Sequence, residues 1–165
     1  VLLHRLRGRP LVVCAAIFQH SPYVIMSLAD KGIRSPHDLV GMRVMMAEGQ
    51  GATQFHAMLA REGVDPAGVN ILPHSWNLDD LIAGRVDAIS AYATVEPWQM
   101  RRLGASPSVL RTLDYGVDFY GDTLFTTEQV LETDKRRATA FVRASLRGWE
   151  YAMRHPEELV GHILA

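Results

Sequence analysis

Short apolar runs alternate with helical stripes along this chain. Leu11–Ile17 is a continuous run rich in Val and Ile, entered after Gly8 and Pro10, and it reads as a buried strand. "YVIMSL" (Tyr23–Leu28) reads as a second strand. "SPHDL" (Ser35–Leu39) opens like a helix, with Ser35 as N-cap, Pro36 at the first helical position and Asp38 at N3; Gly41 ends it. "MRVMMA" (Met42–Ala47) is strand-like and "EGQG" is a tight turn. "ATQFHAMLAREG" is a helix carrying Phe55, Met58 and Leu59, with Gly63 at its end. "VNILP" (Val69–Pro73) is a strand, "NLDDLIAG" a short helix capped by Asn77, and "VDAISAY" (Val86–Tyr92) a further strand. This β-α-β-α-β order with short loops implies a parallel sheet with right-handed crossovers.

Beyond Tyr92, "EPWQMRRLGA" reads as a helix and "SVLRTL" (Ser108–Leu113) as a strand. "DYGVDFYGDTLFTTE" (Asp114–Glu128) gathers aromatics and aspartates around Gly121, then ends in the strand "TLFTT". In the long helix that follows, Ala138, Phe141, Val142, Ser145, Trp149 and Ala152 share one face, while Arg136, Arg137, Arg143 and Arg147 lie mostly elsewhere. Trp149 therefore reads as core. His155-Pro156 breaks this helix, and Pro156–Ala165 starts another. The opening "VLLHRLRGRP" looks like the end of a helix, so the chain reads as a piece of a longer protein.

Composition narrows the function classes. At 165 residues the chain can form one domain, or two small lobes, with a core of its own. Its 17 basic and 18 acidic residues nearly cancel, which argues against a nucleic-acid or anionic-membrane surface, since both need a basic field. No run approaches the roughly 20 apolar residues of a spanning helix. The lone Cys14 rules out an internal disulfide and reads as a packing residue.

Ligands of open parallel sheets bind beyond the carboxyl ends of the strands. The candidate ligand-binding residues are therefore Gln19 and His20; Glu48, Gly49, Gly51 and Thr53; His74, Trp76 and Asn77; Tyr92 and Glu96; and Tyr120 and Asp122. The bland alternative is that loops are polar in any protein. "AEGQGAT" is a strand-to-helix turn whose free N–H groups could hold an anion or a polar edge, although its spacing matches neither a Walker A motif nor a dinucleotide fingerprint. Trp76 is the candidate for stacking on a flat ligand. The seven histidines lack metal-binding spacing and there is no second cysteine, so no metal is expected. With no nucleophile elbow and no base beside Cys14, neither a catalytic residue nor a cofactor is expected. Glu96 and Asp122 read as ligand-bonding acids rather than as an acid/base pair.

"FQHSP", "SPHDLVGMRV", "LDDLIAGRVDAISAY", "EPW", "DFYGDTLFTTE" and "FVRASLRGWEYAMRHPEE", in this order, resemble the substrate-binding-protein family related to thiamine-pyrimidine-precursor synthases. That family includes binding proteins for sulfonates, nitrate and pyrimidines. The resemblance is closest to the extracytoplasmic sensor domains of bacterial histidine kinases and diguanylate cyclases. It implies an α/β, type II periplasmic-binding-protein-like fold: two lobes with parallel-rich sheets that close on a ligand, the first lobe incomplete at its N-terminal side. On that pattern residues 1–41 are part of lobe 1 and the first crossing, and 42–92 the core of lobe 2. Residues 93–114 end lobe 2 and make the return crossing, and 115–165 return to lobe 1.

The function implied is non-enzymatic: a periplasmic small-molecule sensor, tethered to the inner membrane in the full-length protein, whose occupancy is read by signalling domains. The alternative is a solute-binding protein serving an ABC permease. A synthase is the third reading, and it is disfavoured, because the family's cysteine cluster corresponds here to Asp118-Phe119-Tyr120-Gly121-Asp122, which has no cysteine. Strand ends bearing Glu96 and Asp122 but no lysine or arginine suit an amino-bearing heterocycle such as an aminopyrimidine better than a sulfonate or nitrate.

Overall fold

Tyr23–Leu28 is the strand that organises most of this protein, pairing antiparallel with Ala88–Tyr92 on one side and Pro107–Arg111 on the other. A computed structural model describes residues Val1–Ala165. In chain order the elements are α1 (Leu2–Leu6), β1 (Leu11–Ala16), β2 (Tyr23–Leu28), β3 (Arg43–Met46), α2 (Gln50–Arg61), β4 (Asn70–Pro73) and α3 (Asp79–Ile82). They continue with β5 (Ala88–Tyr92), α4 (Glu96–Arg102), β6 (Pro107–Arg111), β7 (Thr123–Thr127), α5 (Glu128–Arg154) and α6 (Pro156–Leu164). No helix is long and apolar enough to cross a membrane.

The chain divides into two compact units, one formed by His20–Gly121 and the other by Val1–Gln19 with Asp122–Ala165. The larger unit holds a five-stranded sheet in the order β4-β3-β5-β2-β6. Its β4-β3-β5 half is parallel, as the β-α-β-α-β pattern predicts, whereas β2 joins antiparallel to both β5 and β6. The sheet is thus mixed, parallel on one side of β5 and antiparallel on the other. The expected boundaries shift accordingly. Tyr23–Leu28 lies in the sheet of the 42–92 segment rather than with residues 1–19, and the smaller unit resumes at Asp122 rather than at 115. The physical reason is burial. Val24 and Met26 pack on one face of the sheet and Ile25 on the other, so β2 needs neighbours on both edges and cover on both faces.

That cover comes from helices. Phe55, Met58 and Leu59 of α2 join Ile25, Val44 and Met46 on one face. Leu81 of α3 and Met100 of α4 join Val24, Met26, Met45 and Ile89 on the other. Local chemistry fixes the ends. Ser35 and Asp38 form a capping box over the 3-10 turn Pro36–Leu39. Hydrogen bonds from the Arg34 N–H, the Ser35 hydroxyl and the Ser35 N–H hold the Asp38 carboxyl below its usual range. Gly63 follows α2 at φ 70°, a left-handed conformation that ends the helix with little strain.

In the smaller unit β1 pairs antiparallel with β7, and the register shifts between Val13 and Ala15. Thr127 caps α5 by accepting from the Val130 N–H, and α5 kinks at Asp134 (φ −152°, ψ 59°), whose carboxylate caps the onward segment at Arg137. Two strands are too narrow to cover the apolar face of such a helix. Val13 is 48% exposed, so β1 is not the buried strand its composition suggests. Trp149 is 45% exposed rather than core, with its ring edge-on to Phe18 at 5.9 Å. Cys14 is half-buried.

Candidate functional site

β3, β4 and β5 run parallel, so Met46, Pro73 and Tyr92 all end at one edge of the sheet. Tyr23 starts β2 opposite Tyr92, and Arg111 closes β6 opposite Val24, at that same edge. The loops there gather most of the sequence-predicted binding residues, and the geometry assigns each a different job.

The turn after β4 is the most constrained. Trp76 has φ 61°, the one positive φ outside glycine, in a region where a bulky residue is strained. Its N–H donates to Nδ1 of His74 at 2.9 Å, and the two rings lie 4.5 Å apart at 31°. Because a backbone N–H can only donate, Nδ1 must accept. The ring proton is then on Nε2, which donates to the Ser90 carbonyl at 2.9 Å. Ser90 is buried in β5, and its hydroxyl accepts from the Ala47 N–H at 2.9 Å. Ser75 donates to the Asp80 carboxylate, which also accepts from Arg85. These bonds, that of Ser75 first, hold the Asp80 carboxyl below its usual range. The Asn77 side chain accepts from the Asp79 N–H at 2.9 Å and so starts α3, leaving that oxygen committed to the backbone.

Beside this turn is an open depression of about 580 Å³ lined by Met46, Ala47, Glu48, Ile71, Leu72, Pro73, His74 and Trp76. The lining is mostly apolar, Glu48 in it is exposed, and none of these residues is Lys or Arg. Trp76, also in the lining, is 76% exposed.

Further along the edge, Tyr23 and Tyr92 pack with ring centroids 4.7 Å apart. A Glu96 oxygen accepts from the Tyr92 N–H at 2.7 Å, tying the first turn of α4 to the end of β5. Gly49 takes φ 104° before α2, and Thr53 spends its hydroxyl on the Gly49 carbonyl at 3.1 Å. Gly51 is buried against the Tyr23 ring. Gln50 donates to the Tyr120 carbonyl at 2.6 Å, which leaves the Tyr120 side chain exposed. His20 meets Asp118 at 2.8 Å.

Gln19 and Asp122 belong to the smaller unit. Gln19 donates to the Ala16 carbonyl at 2.9 Å, and the Asp122 carbonyl accepts from the Ile17 N–H at 2.8 Å.

Sequence reasoning passed over Tyr23, Ser90 and Arg111. A serine inside the apolar strand "AISAY" is the one signal that could have flagged Ser90, since a buried hydroxyl needs a partner. Arg111 is an exposed cation at an edge expected to carry none.

The chain is 28% identical over 172 residues to a formylaminopyrimidine-binding protein of Halalkalibacterium halodurans, covering 99% of this chain and 51% of that protein. It is 26% identical over 162 residues to the riboflavin-binding protein RibY of Chloroflexus aurantiacus, covering 96% of this chain and 46% of that one. It spans about half the length of both relatives. Among solved structures, the periplasmic aliphatic sulphonate binding protein SsuA from Escherichia coli superposes with a TM-score of 0.64 at 15% identity, over 96% of this chain and 53% of that one. That likeness is one of fold, a type II periplasmic-binding-protein-like α/β architecture. The NMT1/THI5 like family model matches residues 1–159, and the chain belongs to that family.

Proposed function

We propose that the chain is the ligand-binding part of a non-enzymatic protein that takes up a planar, amino-bearing heterocycle at the strand-end edge of its larger unit. The observation that carries this is an open depression lined mostly by apolar residues, with the exposed Trp76 and Glu48 in its lining and no cation there. A flat ring gains by stacking on the indole, and carboxylates such as Glu48 and Glu96 accept from amino groups. The relatives named for formylaminopyrimidine and riboflavin, both of which carry planar heterocycles, support the same class. His20 and Tyr120, both of the larger unit, belong to the proposal as further ligand contacts.

Delivery to an ABC permease from the periplasm is the setting supported by the naming of these relatives as binding proteins. Sensing, with occupancy passed to kinase or cyclase domains and the protein tethered to the inner membrane, rests on the sequence resemblance alone.

The test is thermal unfolding of the full-length protein with formylaminopyrimidine, riboflavin, an alkanesulfonate or nitrate. A rise in Tm with a heterocycle, lost in Trp76→Ala, is the expected result. A rise with alkanesulfonate or nitrate alone, lost in Arg111→Ala, overturns the heterocycle reading.

A further inference from the structure

His74 has no nitrogen left for a ligand. Nδ1 accepts from the Trp76 N–H and Nε2 donates to the Ser90 carbonyl, both at 2.9 Å. The Ser90 hydroxyl in turn accepts from the Ala47 N–H, so the bonds run from the end of β3 through β5 to the Trp76 backbone N–H. Trp76 sits at φ 61° with its ring against the imidazole and 76% of its surface exposed. An exposed tryptophan gains nothing from burial there, and its backbone conformation is an unfavourable one that the surroundings must hold. The imidazole supplies both the acceptor and the ring contact that hold it.

We propose that His74 is a positioning residue, which fixes Trp76 through its Nδ1 acceptor as a preformed stacking platform for a planar heterocycle. This rests on the strand-end edge being the ligand site. A platform already ordered in the free protein loses little freedom when the ligand arrives, so affinity depends on His74 although neither of its nitrogens bonds the ligand.

Two isosteres separate the two bonds of the ring. His74→Asn places an acceptor near Nδ1 and keeps the Trp76 bond. His74→Gln places an amide nitrogen near Nε2 and keeps only the Ser90 bond. In the ¹⁵N-labelled full chain, a scalar coupling across the bond between the Trp76 amide nitrogen and His74 Nδ1 is the ligand-free signature. Its absence overturns the proposal.

In calorimetry with formylaminopyrimidine, His74→Gln weakens binding about tenfold, as expected for the loss of one hydrogen bond, while His74→Asn stays within about threefold of the parent. In a Trp76→Ala background the two variants bind alike. Equal affinities for His74→Gln and His74→Asn with Trp76 intact overturn the proposal. If the parent protein binds neither formylaminopyrimidine nor riboflavin, the ligand reading of the edge fails instead. The nitrogen–nitrogen coupling and the indole emission of the two variants then still decide whether His74 holds Trp76.

Discussion

Gly51 and Tyr23 approach so closely that a Cβ on Gly51 would stand 2.9 Å from Cδ1 of the Tyr23 ring. The contact joins the first turn of α2 to the start of β2. It also sets where the Tyr23 ring rests against Tyr92. Gly51→Ala adds a methyl group that the Tyr23 ring can avoid only by leaving its present place. Overpacking of this kind costs about 1–3 kcal/mol, and the alanine returns at most about 1 kcal/mol in helix propensity. The net expectation is a loss of about 1 kcal/mol in denaturant unfolding. In a Tyr23→Ala background the same change should be neutral or stabilising, and an undiminished loss there would show that the ring is not the obstacle.

Trp76→Gly separates function from stability. Glycine adopts φ 61° without strain, and the indole is 76% exposed, so little burial is lost. The variant should gain about 1 kcal/mol, or roughly 2–4 °C in Tm for a chain of this size. It should also lose heterocycle binding. A drop in Tm would mean that the Trp76 side chain stabilises the fold and that its conformation is not held for a ligand.

Phenylalanines in the two units should respond differently. Phe55 is fully buried in the larger unit, and Phe55→Ala should cost about 4 kcal/mol in unfolding free energy. Phe141 of α5 is 64% exposed, and Phe141→Ala should cost less than about 1 kcal/mol. Comparable losses at both positions would show that the apolar face of α5 is covered in solution.

What the chain order could and could not announce follows from these contacts. The β3-α2-β4-α3-β5 series is readable because caps, glycine stops and short apolar runs are all local signals. The placement of β2 is not. "YVIMSL" looks the same whether its neighbours run parallel or antiparallel, and its partners lie more than 60 residues away at Tyr92 and Arg111. Trp76 stands out as an aromatic in a strand-end loop. The role of His74 depends on the backbone angle of Trp76, which no residue type declares. Trp149 follows the helical apolar face correctly, yet periodicity says nothing about whether a two-stranded sheet can cover that face.

Asp87 makes stability depend on pH. It is 7% exposed and accepts from the Arg43 side chain and N–H and from Lys31 at 2.8 Å, at the end of the sheet where β3 begins. The Arg43 guanidinium above all, then Lys31 and the Arg43 N–H, hold its carboxyl well below the usual carboxylate range. Because the folded value lies below the unfolded one, the stabilisation is fully present above the unfolded pKa near 4. It drains away as pH falls below that value toward the folded one. Unfolding free energy should therefore fall as pH drops below about 4 and keep falling toward about pH 2. Asp87→Asn should lose about 2 kcal/mol at pH 7, because Arg43 and Lys31 lose their counter-charge, and it should show a shallower acid slope than the parent. Denaturant titrations of both proteins at pH 7, 5, 4 and 3 measure the difference directly. Parallel pH profiles would mean that Asp87 is not the group linking folding to proton uptake.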